Sequence, residues 1–394
     1  MAILAVNAGS STLKFSVHPL QNQGVLDPIL IGNIQGLEPA GQPRMDWTWQ
    51  GQHHQCALPT VEGTSFERAL HALHGLLAEL PALPPLRAVA HRVVHGGHQY
   101  QHSVRITPEV LRALEQLNSL APLHQPHNLA GIRAFTAAFP ELPQVACFDT
   151  AFHATLPREE SYYALPQTLA DQGVRRYGFH GLSYQSIMGT LQSCSARAHG
   201  RTLMAHLGNG ASLCATLQGR SQATTMGFSA LDGLVMGTRC GSIDPGVLLY
   251  LLEQGWDHDR IQALLYRQSG LLGVSGIAAD MRTLRASTAP AAQFAIELFT
   301  RRVVRATGEL SACIGGLDVL AFSGGIGEND SLLRADVAQR LAYLGVRVDA
   351  TLNAQPADGH AAWAIHAPDS AVEVWVVPTD EGRVAAAEAA ALVL

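Results

Sequence analysis

The sequence predicts an α/β protein made of two copies of one folding unit, each with the order β-β-β-α-β-α-β-α. Residues 2–6 and 12–18 are predicted to form two strands around a glycine turn, and residues 203–207 and 211–217 repeat that order. A third strand follows in each half, and helices and strands then continue the pattern. The halves share element order but no visible sequence repeat. We therefore expect a duplicated unit with an interdomain cleft and a boundary near residue 150.

Apolar periodicity and capping residues define the elements of the first half. Thr64 with Glu67 three residues later predicts a helix start, and the prolines from Pro81 onward predict its end. Thr107 followed by Pro108 predicts another helix start. The predicted elements are strands at 2–6, 12–18 and around 45–49, a helix at 64–80, a strand at 86–94, helices at 107–119 and 127–139, and a strand at 143–148.

The second half shows the same kinds of signal. Its predicted elements are strands at 203–207, 211–217 and 222–226, helices at 245–254, 258–268 and 290–314, a strand at 319–322 leading into a turn at 323–329, and, after a further helix, strands at 346–349 and 372–377 before a final alanine-rich helix.

Composition excludes several classes of protein. The chain has 394 residues, of which 47% are hydrophobic and 15% charged, as is typical of a globular protein. A formal net charge of -6 argues against nucleic-acid binding, and no apolar run approaches the ~18 residues that span a membrane. The six cysteines have no C-x-x-C or zinc-ligand spacing, and the N-terminus lacks signal-peptide features. We therefore expect reduced thiols in a cytoplasmic protein.

The segment Asn7-Ala8-Gly9-Ser10-Ser11-Thr12-Leu13-Lys14 forms the first glycine turn. Gly9 permits a tight turn, and the hydroxyls and backbone N–H groups around it are able to hold phosphate oxygens. Lys14 is the single lysine among 26 basic residues, and a compact ammonium suits a crowded phosphate site. The segment alone leaves a phosphate-binding turn and an ordinary serine-rich hairpin equally open.

Most of the remaining unusual residues follow predicted strands or lie in turns. In open α/β sheets, ligands bind beyond the carboxyl ends of the strands. The positions that follow predicted strands are Arg92, Asp149 and residues 206–210, 324–329 and 379–381, and the turn clusters are 121–124, 177–181, 236–241 and 275–282. We expect these segments to converge on a ligand.

Nine of these segments together resemble the acetate kinase family, within the actin-like and sugar-kinase ATPase superfamily. The motifs are N-A-G-S-S-T-L-K, H-R-V-V-H-G-G, A-P-L-H, F-D-T-A-F-H, Y-G-F-H-G, H-L-G-N-G-A-S, M-G-T-R-C-G-S-I-D-P, S-G-I-A-A-D-M-R and G-G-I-G-E-N, in that order between Asn7 and Glu381. Each motif is weak alone, whereas nine in order are specific. The resemblance implies two duplicated ribonuclease-H-like domains, the fold of the actin-like ATPases.

The resemblance also implies an activity and its organisation. It implies reversible, Mg²⁺-dependent transfer of the γ-phosphoryl group of ATP to acetate by direct in-line attack, giving acetyl phosphate and ADP, with Mn²⁺ as a substitute metal. Residues 1–150, joined by the C-terminal helix 381–394, would form the acetate-side domain, and residues 151–380 the nucleotide-binding domain. Domain closure would exclude water. The expected partners are acetate, ATP and a second copy in a homodimer, with no nucleic acid and no membrane.

Four groups of site residues follow from the resemblance. Those assigned to catalysis are Asp149, His180, Arg239 and Arg92. Those assigned to the acetate site are Arg92, Val94, Leu123, His124, Phe179 and Ala230. Those assigned to ATP are Ser10, Thr12, Lys14, His206, Leu207, Gly208, Asn209, Gly210, Asp280, Met281, Arg282, Gly325, Ile326, Gly327, Glu328 and Asn329. Those assigned to the metal are Asn7 and Glu381.

Several of these residues also suit purely structural roles. Glu381 fits the first turn of a helix, and an arginine after a strand is often ion-paired or solvated. His180 between aromatic residues is often structural, and Asp149 also suits a helix N-cap. Acetate is already ionised at neutral pH, so no general base is needed. We therefore expect Asp149 to orient Mg²⁺ or Arg92.

Some positions depart from the family pattern and keep alternative functions open. Ala230 stands where the family usually has proline, which makes the apolar pocket roomier and favours propionate or another short-chain fatty acid as an alternative substrate. Thr12, Gln125, Ala278-Ala279 and Gly382 also differ from the usual residues. A non-catalytic, actin-like nucleotide-binding protein is the alternative from another class, although it would not need Arg92 or His180.

Overall fold

The computed structural model describes residues 1–9, 11–22, 24–38, 41–58, 64–122, 124–355 and 361–394. The chain divides into two compact units. Unit 1 comprises Met1–Ala151 and Asp380–Leu394, and unit 2 comprises Phe152–Thr379. The last helix of the chain therefore belongs to unit 1, although its sequence follows the whole of unit 2.

Unit 1 is a mixed sheet with helices. Its strands are β1 Ala2–Ala8, β2 Thr12–Gln21, β3 Gly24–Val25, β4 Leu30–Gln35, β5 Arg44–Trp49, β6 Gln52–Ala57, β7 Leu86–Val93, β8 Val104–Arg105 and β9 Gln144–Phe148. Its helices are α1 Ser65–Glu79, α2 Pro108–Glu115, α3 Gln125–Ala138 and α15 Glu381–Val393. The predicted capping box is confirmed at α1, where the Thr64 side chain accepts from the Glu67 N–H and Glu67 accepts from the Thr64 N–H.

The sheet of unit 1 has the strand order β6-β5-β4-β2-β1-β7-β9-β8, and β3 pairs with β2. The pairs β4–β2 and β2–β1 are antiparallel, whereas β1–β7 and β7–β9 are parallel. Parallel strands end at the same edge of a sheet, so β1, β7 and β9 bring their carboxyl ends together. The core combines strand residues such as Leu4 and Val89 with helix residues such as Phe135 of α3.

Unit 2 contains a second mixed sheet and most of the helices. Its strands are β10 Arg201–Leu207, β11 Ala211–Leu217, β12 Arg220–Thr224, β13 Val319–Ser323, β14 Trp363–Ala364 and β15 Glu373–Val376. Its helices are α4 Arg158–Ser161, α5 Gln167–Asp171, α6 Gly181–Cys194, α7 Pro245–Glu253, α8 His258–Arg267, α9 Gly270–Ser275, α10 Met281–Ala286, α11 Pro290–Cys313, α12 Gly324–Asn329, α13 Ser331–Arg340 and α14 Ala350–Ala354. Short 3₁₀ turns lie at Ala151–Thr155, Ala196–His199 and Ala342–Leu344.

The sheet of unit 2 repeats the central pattern of unit 1. Its strand order is β12-β11-β10-β13-β15-β14. The pairs β12–β11 and β11–β10 are antiparallel, and β10–β13 and β13–β15 are parallel. Five strands in each unit thus share order and direction, which is the duplication that element order predicted.

Two local predictions need correction, and several short or irregularly patterned elements were not predicted, β4 and α6 among them. Residues 346–349 form isolated bridges, Val346 with Val372 and Val348 with His366, and no continuous strand. Most of the predicted turn at 323–329 is the short helix α12, because Gly324, at φ 76°, bends the chain and a helical turn follows at once. Strand β4 was not predicted because its residues do not alternate simply between apolar and polar. Helix α6 was not predicted because a histidine stands where a conventional N-cap residue is expected.

No helix within the described ranges is both long enough and apolar enough to cross a bilayer.

Candidate active site

Arg92, at the end of β7, is the centre of a cluster in unit 1. Its Nε donates to Asp149 Oδ1 at 3.1 Å and its Nη2 to Asp149 Oδ2 at 2.6 Å. Its Nη1 donates to Asn7 Oδ1 at 3.3 Å, and Glu381 Oε2 lies 3.6 Å from Nε. We call Asn7, Arg92, Asp149 and Glu381 the arginine cluster.

Strand register explains why these residues meet. Val6 pairs with His91, so the next residues, Asn7 and Arg92, lie side by side near the carboxyl ends of β1 and β7. Val93 pairs with Phe148, and the Asp149 N–H donates to the Val93 carbonyl. Glu381 comes from a distant part of the sequence as the first residue of α15, which packs on β1 and β7.

The cluster is a strongly coupled ion-pair site. Asp149 is 1% exposed, and its two oxygens accept a bidentate pair of hydrogen bonds, the geometry for which arginine is suited. Burial alone would lower the pKa of the Arg92 guanidinium, but the charges of Asp149 and Glu381 outweigh burial and raise it above its ordinary value. Arg92 therefore remains a cation throughout the physiological pH range.

Lys14 lies beside this cluster in the sheet. It is exposed on β2, opposite Asn7 in the antiparallel register, so both side chains lie on the same face. Thr12 is half-buried at the start of β2, and the Gly9 N–H donates to its carbonyl at 2.8 Å. Ser10 lies outside the described residues.

Two amide side chains of α3 hold the backbone around the cluster, and sequence reasoning missed this role. Asn128 accepts from the Val94 N–H at 3.1 Å and donates to the Ala8 carbonyl at 2.7 Å. Gln125, fully buried, accepts from the His95 N–H and donates to its carbonyl. Val94 is itself buried, and His124 immediately precedes α3. Leu123 lies outside the described residues.

The first turn of α15 is fitted closely against β2. The Asp380 side chain accepts from the Arg383 N–H at 2.8 Å. A Cβ atom at Gly382 would lie 2.5 Å from Ser16 Oγ and 3.2 Å from His18 Nε2. Ser16 Oγ and His18 Nε2 are themselves 2.8 Å apart. Glycine at 382 therefore lets the turn that carries Glu381 approach the sheet.

The donor chemistry of the arginine cluster fits Mg²⁺. Asn7 and Glu381 offer hard oxygen donors that both approach the same guanidinium. No group of three or more histidine, cysteine or acidic side chains suited to a metal occurs in the described ranges. Mg²⁺ usually takes only one or two carboxylates and completes its shell with water and substrate phosphates. A sparse set of oxygen donors is therefore compatible with it.

In unit 2, His180 occupies the residue before α6 in a left-handed conformation, with φ 60°. Such a backbone is uncommon outside glycine and is often found at functional sites. Its Nδ1 lies 2.8 Å from Ser212 Oγ on β11. Phe179, the residue before it, is buried.

Arg239 and His180 meet at the glycine turn between β10 and β11. A Cβ atom at Gly210 would lie 2.7 Å from Arg239 Nη2 and 3.2 Å from His180 Nε2. Arg239 Nη1 donates to the Ala230 carbonyl at 2.6 Å, which fixes the guanidinium. The Arg239 guanidinium and the His180 imidazole therefore both lie beside the backbone of Gly210, which has no side chain to block access to them.

His206 extends this site along β10. Its Nδ1 lies 2.7 Å from Ser183 Oγ on α6, and its ring stacks on His180 with centroids 4.4 Å apart. Leu207 is buried, and the Gly208 N–H donates to the Gly210 carbonyl at 3.0 Å. The Asn209 carbonyl accepts from the Gly237 N–H at 3.0 Å, which joins this turn to the loop of Arg239.

A second glycine segment lies next to that turn. The Gly325 nitrogen is 4.0 Å from the position of a Gly208 Cβ atom. Glu328 Oε1 accepts from the Gly324 N–H at 2.9 Å, and Asn329 Nδ2 donates to the Gly325 carbonyl at 3.0 Å. These bonds hold α12, which also contains Ile326 and Gly327.

The predicted adenosine contacts lie at the start of α10. Asp280 caps this helix by accepting from the Thr283 N–H at 3.0 Å. Met281 is buried, whereas the Arg282 side chain is 91% exposed. A Cβ atom at Gly237 would lie 3.1 Å from the carbonyl oxygen of Ala279, so the segment before α10 approaches the loop of Arg239. The assignment of Asp280, Met281 and Arg282 to ATP stays a prediction.

Comparison with known proteins identifies the family. A sequence model described as the Acetokinase family matches residues 2–387. The chain belongs to the acetokinase family. An acetate kinase of Rhodopseudomonas palustris is 49% identical over 383 residues, which cover 96% of this chain and 95% of that protein.

Two solved structures, one of a propionate kinase and one of an acetate kinase, agree closely with the whole fold. A propionate kinase from Francisella tularensis has 35% identity and a TM-score of 0.89, and the Porphyromonas gingivalis acetate kinase has 34% identity and a TM-score of 0.86. Each match covers 98% of both chains. The predicted α/β class, in the form of the actin-like ATPases, is thereby confirmed.

Proposed function

We propose that this protein is an acetate kinase that transfers the γ-phosphoryl group of ATP reversibly to acetate, giving acetyl phosphate and ADP. The observation that carries the proposal is the near full-length match to acetate kinases within the acetokinase family. The arginine cluster and the site around His180 and Arg239 supply the cations and donors that such a transfer requires.

The chemistry is mainly electrostatic. Acetate is an anion with no proton to remove, so its oxygen attacks phosphorus directly and ADP leaves from the opposite side. The difficulty is the approach of two anions, and stabilisation of charge on the transferring phosphoryl oxygens lowers the barrier. In this proposal Arg239, His180 and Lys14 contact those oxygens. Arg92 also contributes positive charge and binds the acceptor.

Asp149 has an orienting role in this proposal. Both its oxygens are engaged by Arg92, so the carboxylate fixes the guanidinium that would bind the acetate carboxylate. Asn7 and Glu381 would hold Mg²⁺, and the bound ion would neutralise phosphate charge. In this proposal unit 1 binds acetate, with the buried Val94 among the apolar residues of its site. Unit 2 binds the nucleotide through residues 206–210, 280–282 and 325–329.

The deciding experiment traps acyl phosphate as hydroxamate after mixing the protein with ATP, Mg²⁺ and a carboxylate. We expect product with acetate, and a lower kcat/KM with propionate and butyrate, since one methylene changes discrimination by ~1–3 kcal/mol. A higher kcat/KM with propionate than with acetate would identify propionate as the preferred substrate. Nucleotide binding without acyl phosphate from any of the acids would contradict a kinase and favour a nucleotide-binding protein.

The proposal includes a homodimer formed through α7. Ile243, Val247, Leu249, Tyr250 and Leu252 are all exposed, and α7 has no buried residue. An apolar patch of this kind on a surface helix is typical of an interface. We expect sedimentation at twice the monomer mass, and dissociation by L249E/L252E. The matched control is L332E, which changes an exposed leucine on α13, and dissociation by that control would contradict the α7 interface.

We also propose a cytoplasmic location. All six cysteines are free thiols, and Cys56, Cys194 and Cys313 are exposed. Exposed thiols of this kind are typical of a reducing compartment.

A further inference from the structure

A buried hydrogen-bond chain lies behind His180 in unit 2. Tyr184, one turn along α6 from His180, places its Oη 2.5 Å from Ser212 Oγ. Ser212 Oγ lies 2.8 Å from His180 Nδ1. Tyr184 and Ser212 are both 0% exposed, so bulk solvent does not reach their hydroxyl groups.

The direction of this chain follows from counting hydrogens. The phenol of Tyr184 has one hydrogen to donate, and burial raises its pKa well above the ordinary value, so the proton stays on. Ser212 Oγ is the one acceptor for it in the described part of the chain. If Ser212 donated to Tyr184 instead, the phenol hydrogen would be buried without an acceptor, which disfavours that arrangement roughly tenfold or more.

Ser212 therefore accepts from Tyr184 and directs its own single hydrogen elsewhere. The other polar side-chain atom within its reach, among the described residues, is His180 Nδ1, which must accept it. A neutral imidazole that accepts at Nδ1 carries its proton on Nε2. That nitrogen lies on the side of the ring towards Gly210, where Arg239 Nη2 also arrives.

We propose that Tyr184 and Ser212 are positioning residues that hold His180 as the neutral tautomer protonated on Nε2, so that the ring donates a hydrogen bond to the transferring phosphoryl group. The proposal rests on the phosphoryl-transfer role given to His180 above. His180 then acts as a fixed donor beside Arg239 and does not take up a proton during the reaction.

The hydrogen bonds that link Tyr184, Ser212 and His180 also disfavour a doubly protonated His180 ring. An imidazolium would donate from Nδ1 to Ser212 Oγ, which already accepts from Tyr184 and would then have no acceptor for its own hydrogen. A ring protonated on Nδ1, whether neutral or doubly protonated, would therefore leave one buried hydroxyl hydrogen without an acceptor. The same count therefore selects both the charge and the tautomer of His180.

The test measures the tautomer directly by ¹⁵N NMR of protein labelled at histidine, at neutral pH, with the His180 resonances assigned by their loss in H180N. We expect a protonated Nε2 and an unprotonated Nδ1 in the wild type. In Y184F and S212A, the fraction of His180 rings protonated on Nδ1 should increase. S212T should retain the wild-type pattern because it keeps the hydroxyl. A wild-type ring protonated on Nδ1 would overturn the proposal.

Activity gives a second, separate readout. We expect kcat to fall about tenfold in Y184F and S212A, with KM for ATP and acetate changed less, because the donor acts mainly in the transition state. T216V, which removes another buried hydroxyl from β11, is the control for general destabilisation, and its kcat should stay at the wild-type level. Unchanged tautomer and kcat in both Y184F and S212A would refute the role of the chain. If the protein made no acyl phosphate, the NMR result would still decide the tautomer.

Discussion

In unit 1 the hairpin β1–β2 carries Asn7 opposite Lys14, whereas in unit 2 the hairpin β10–β11 carries His206 opposite Ser212 at the equivalent register. On the next parallel strand, Arg92 in unit 1 corresponds to Ser323 in unit 2. One topology thus supports charged side chains in one copy and hydroxyl and imidazole groups in the other.

The difference shows two ways of fixing a functional group. In unit 1, opposite charges hold Arg92 in place, and because Asp149 is buried, removing either partner leaves a buried charge uncompensated. In unit 2, hydrogen bonds with serine hydroxyls orient the imidazole rings of His180 and His206, and the Arg239 guanidinium donates to the Ala230 carbonyl. We expect substitutions in unit 1 to affect both stability and activity, and those in unit 2 to affect mainly activity.

The largest expected effect comes from R239A. It removes the cation that reaches Gly210 beside His180, and turnover should fall roughly a hundredfold to a thousandfold, as for loss of a transition-state donor. ATP affinity, measured by calorimetry, should change modestly. The control R340A removes an exposed arginine paired with Asp336, and its turnover should match the wild type. Near-normal turnover in R239A would contradict the assignment.

D149N should lower both stability and activity. The carboxylate is buried against Arg92, and leaving a buried charge without its partner costs about 3 kcal/mol of the free energy of unfolding. Denaturant titration and steady-state kinetics measure the two effects. The control D369N breaks an exposed pair with Arg347 and should cost less than about 1 kcal/mol.

The same variant tests the orienting role of Asp149. A changed Mg²⁺ requirement would favour orientation of the metal or Arg92. An unchanged Mg²⁺ requirement together with an altered pH dependence of activity would favour proton transfer by Asp149.

Acid should destabilise both units through buried neutral histidines. Burial lowers the pKa of His91 and His95 in unit 1, and of His153 in unit 2, from 6.5 to about 4. The unfolded chain then binds protons that the folded units do not. The free energy of unfolding is therefore unaffected above pH 6.5 and falls below it by about 1.4 kcal/mol per pH unit for each histidine until about pH 4.

Hydrogen exchange followed by mass spectrometry distinguishes the units in this range. We expect the protection of unit 1 to fall more steeply than that of unit 2, since unit 1 carries two of these three histidines. Equal slopes, or protection that rises as the pH falls, would disagree with the burial argument.

The smallest expected effect is that of G382A. The added Cβ atom would meet Ser16 Oγ at 2.5 Å, so the turn that carries Glu381 must shift and turnover should fall by roughly fivefold. In S16A/G382A the opposing oxygen is absent, and part of the turnover should return. G75A, in α1 with open space around it, should instead stabilise the protein by about 0.5–1 kcal/mol. A double variant no better than G382A would argue against this contact.

The sequence was sufficient for what local patterns and motifs determine. Arg92 lies at the end of one apolar strand and Asp149 directly follows another, so their convergence was predictable from the strand-end rule. The capping box at Thr64 and the repeated β-β-β start were also predictable, because the residues that signal each of them lie close together in the sequence.

The missed features depend on contacts between distant residues. Asn128 binds the carbonyl of Ala8, 120 positions away, and nothing near either residue indicates this pair. Tyr184 acts through Ser212, which lies on another element. Helix α6 begins after a histidine in a left-handed conformation, whereas sequence rules look for a serine, threonine or acidic N-cap.

The discontinuity of unit 1 bears on how the chain is made. Residues Met1–Ala151 leave the ribosome before unit 2, but α15, with Glu381, is synthesised only after all of unit 2. Until then β1 and β7 lack the helix that covers them, and Arg92 lacks one of its carboxylate neighbours. A partly synthesised chain therefore has an unfinished acceptor half, and phosphoryl transfer by the proposed route starts only when translation has passed the last helix.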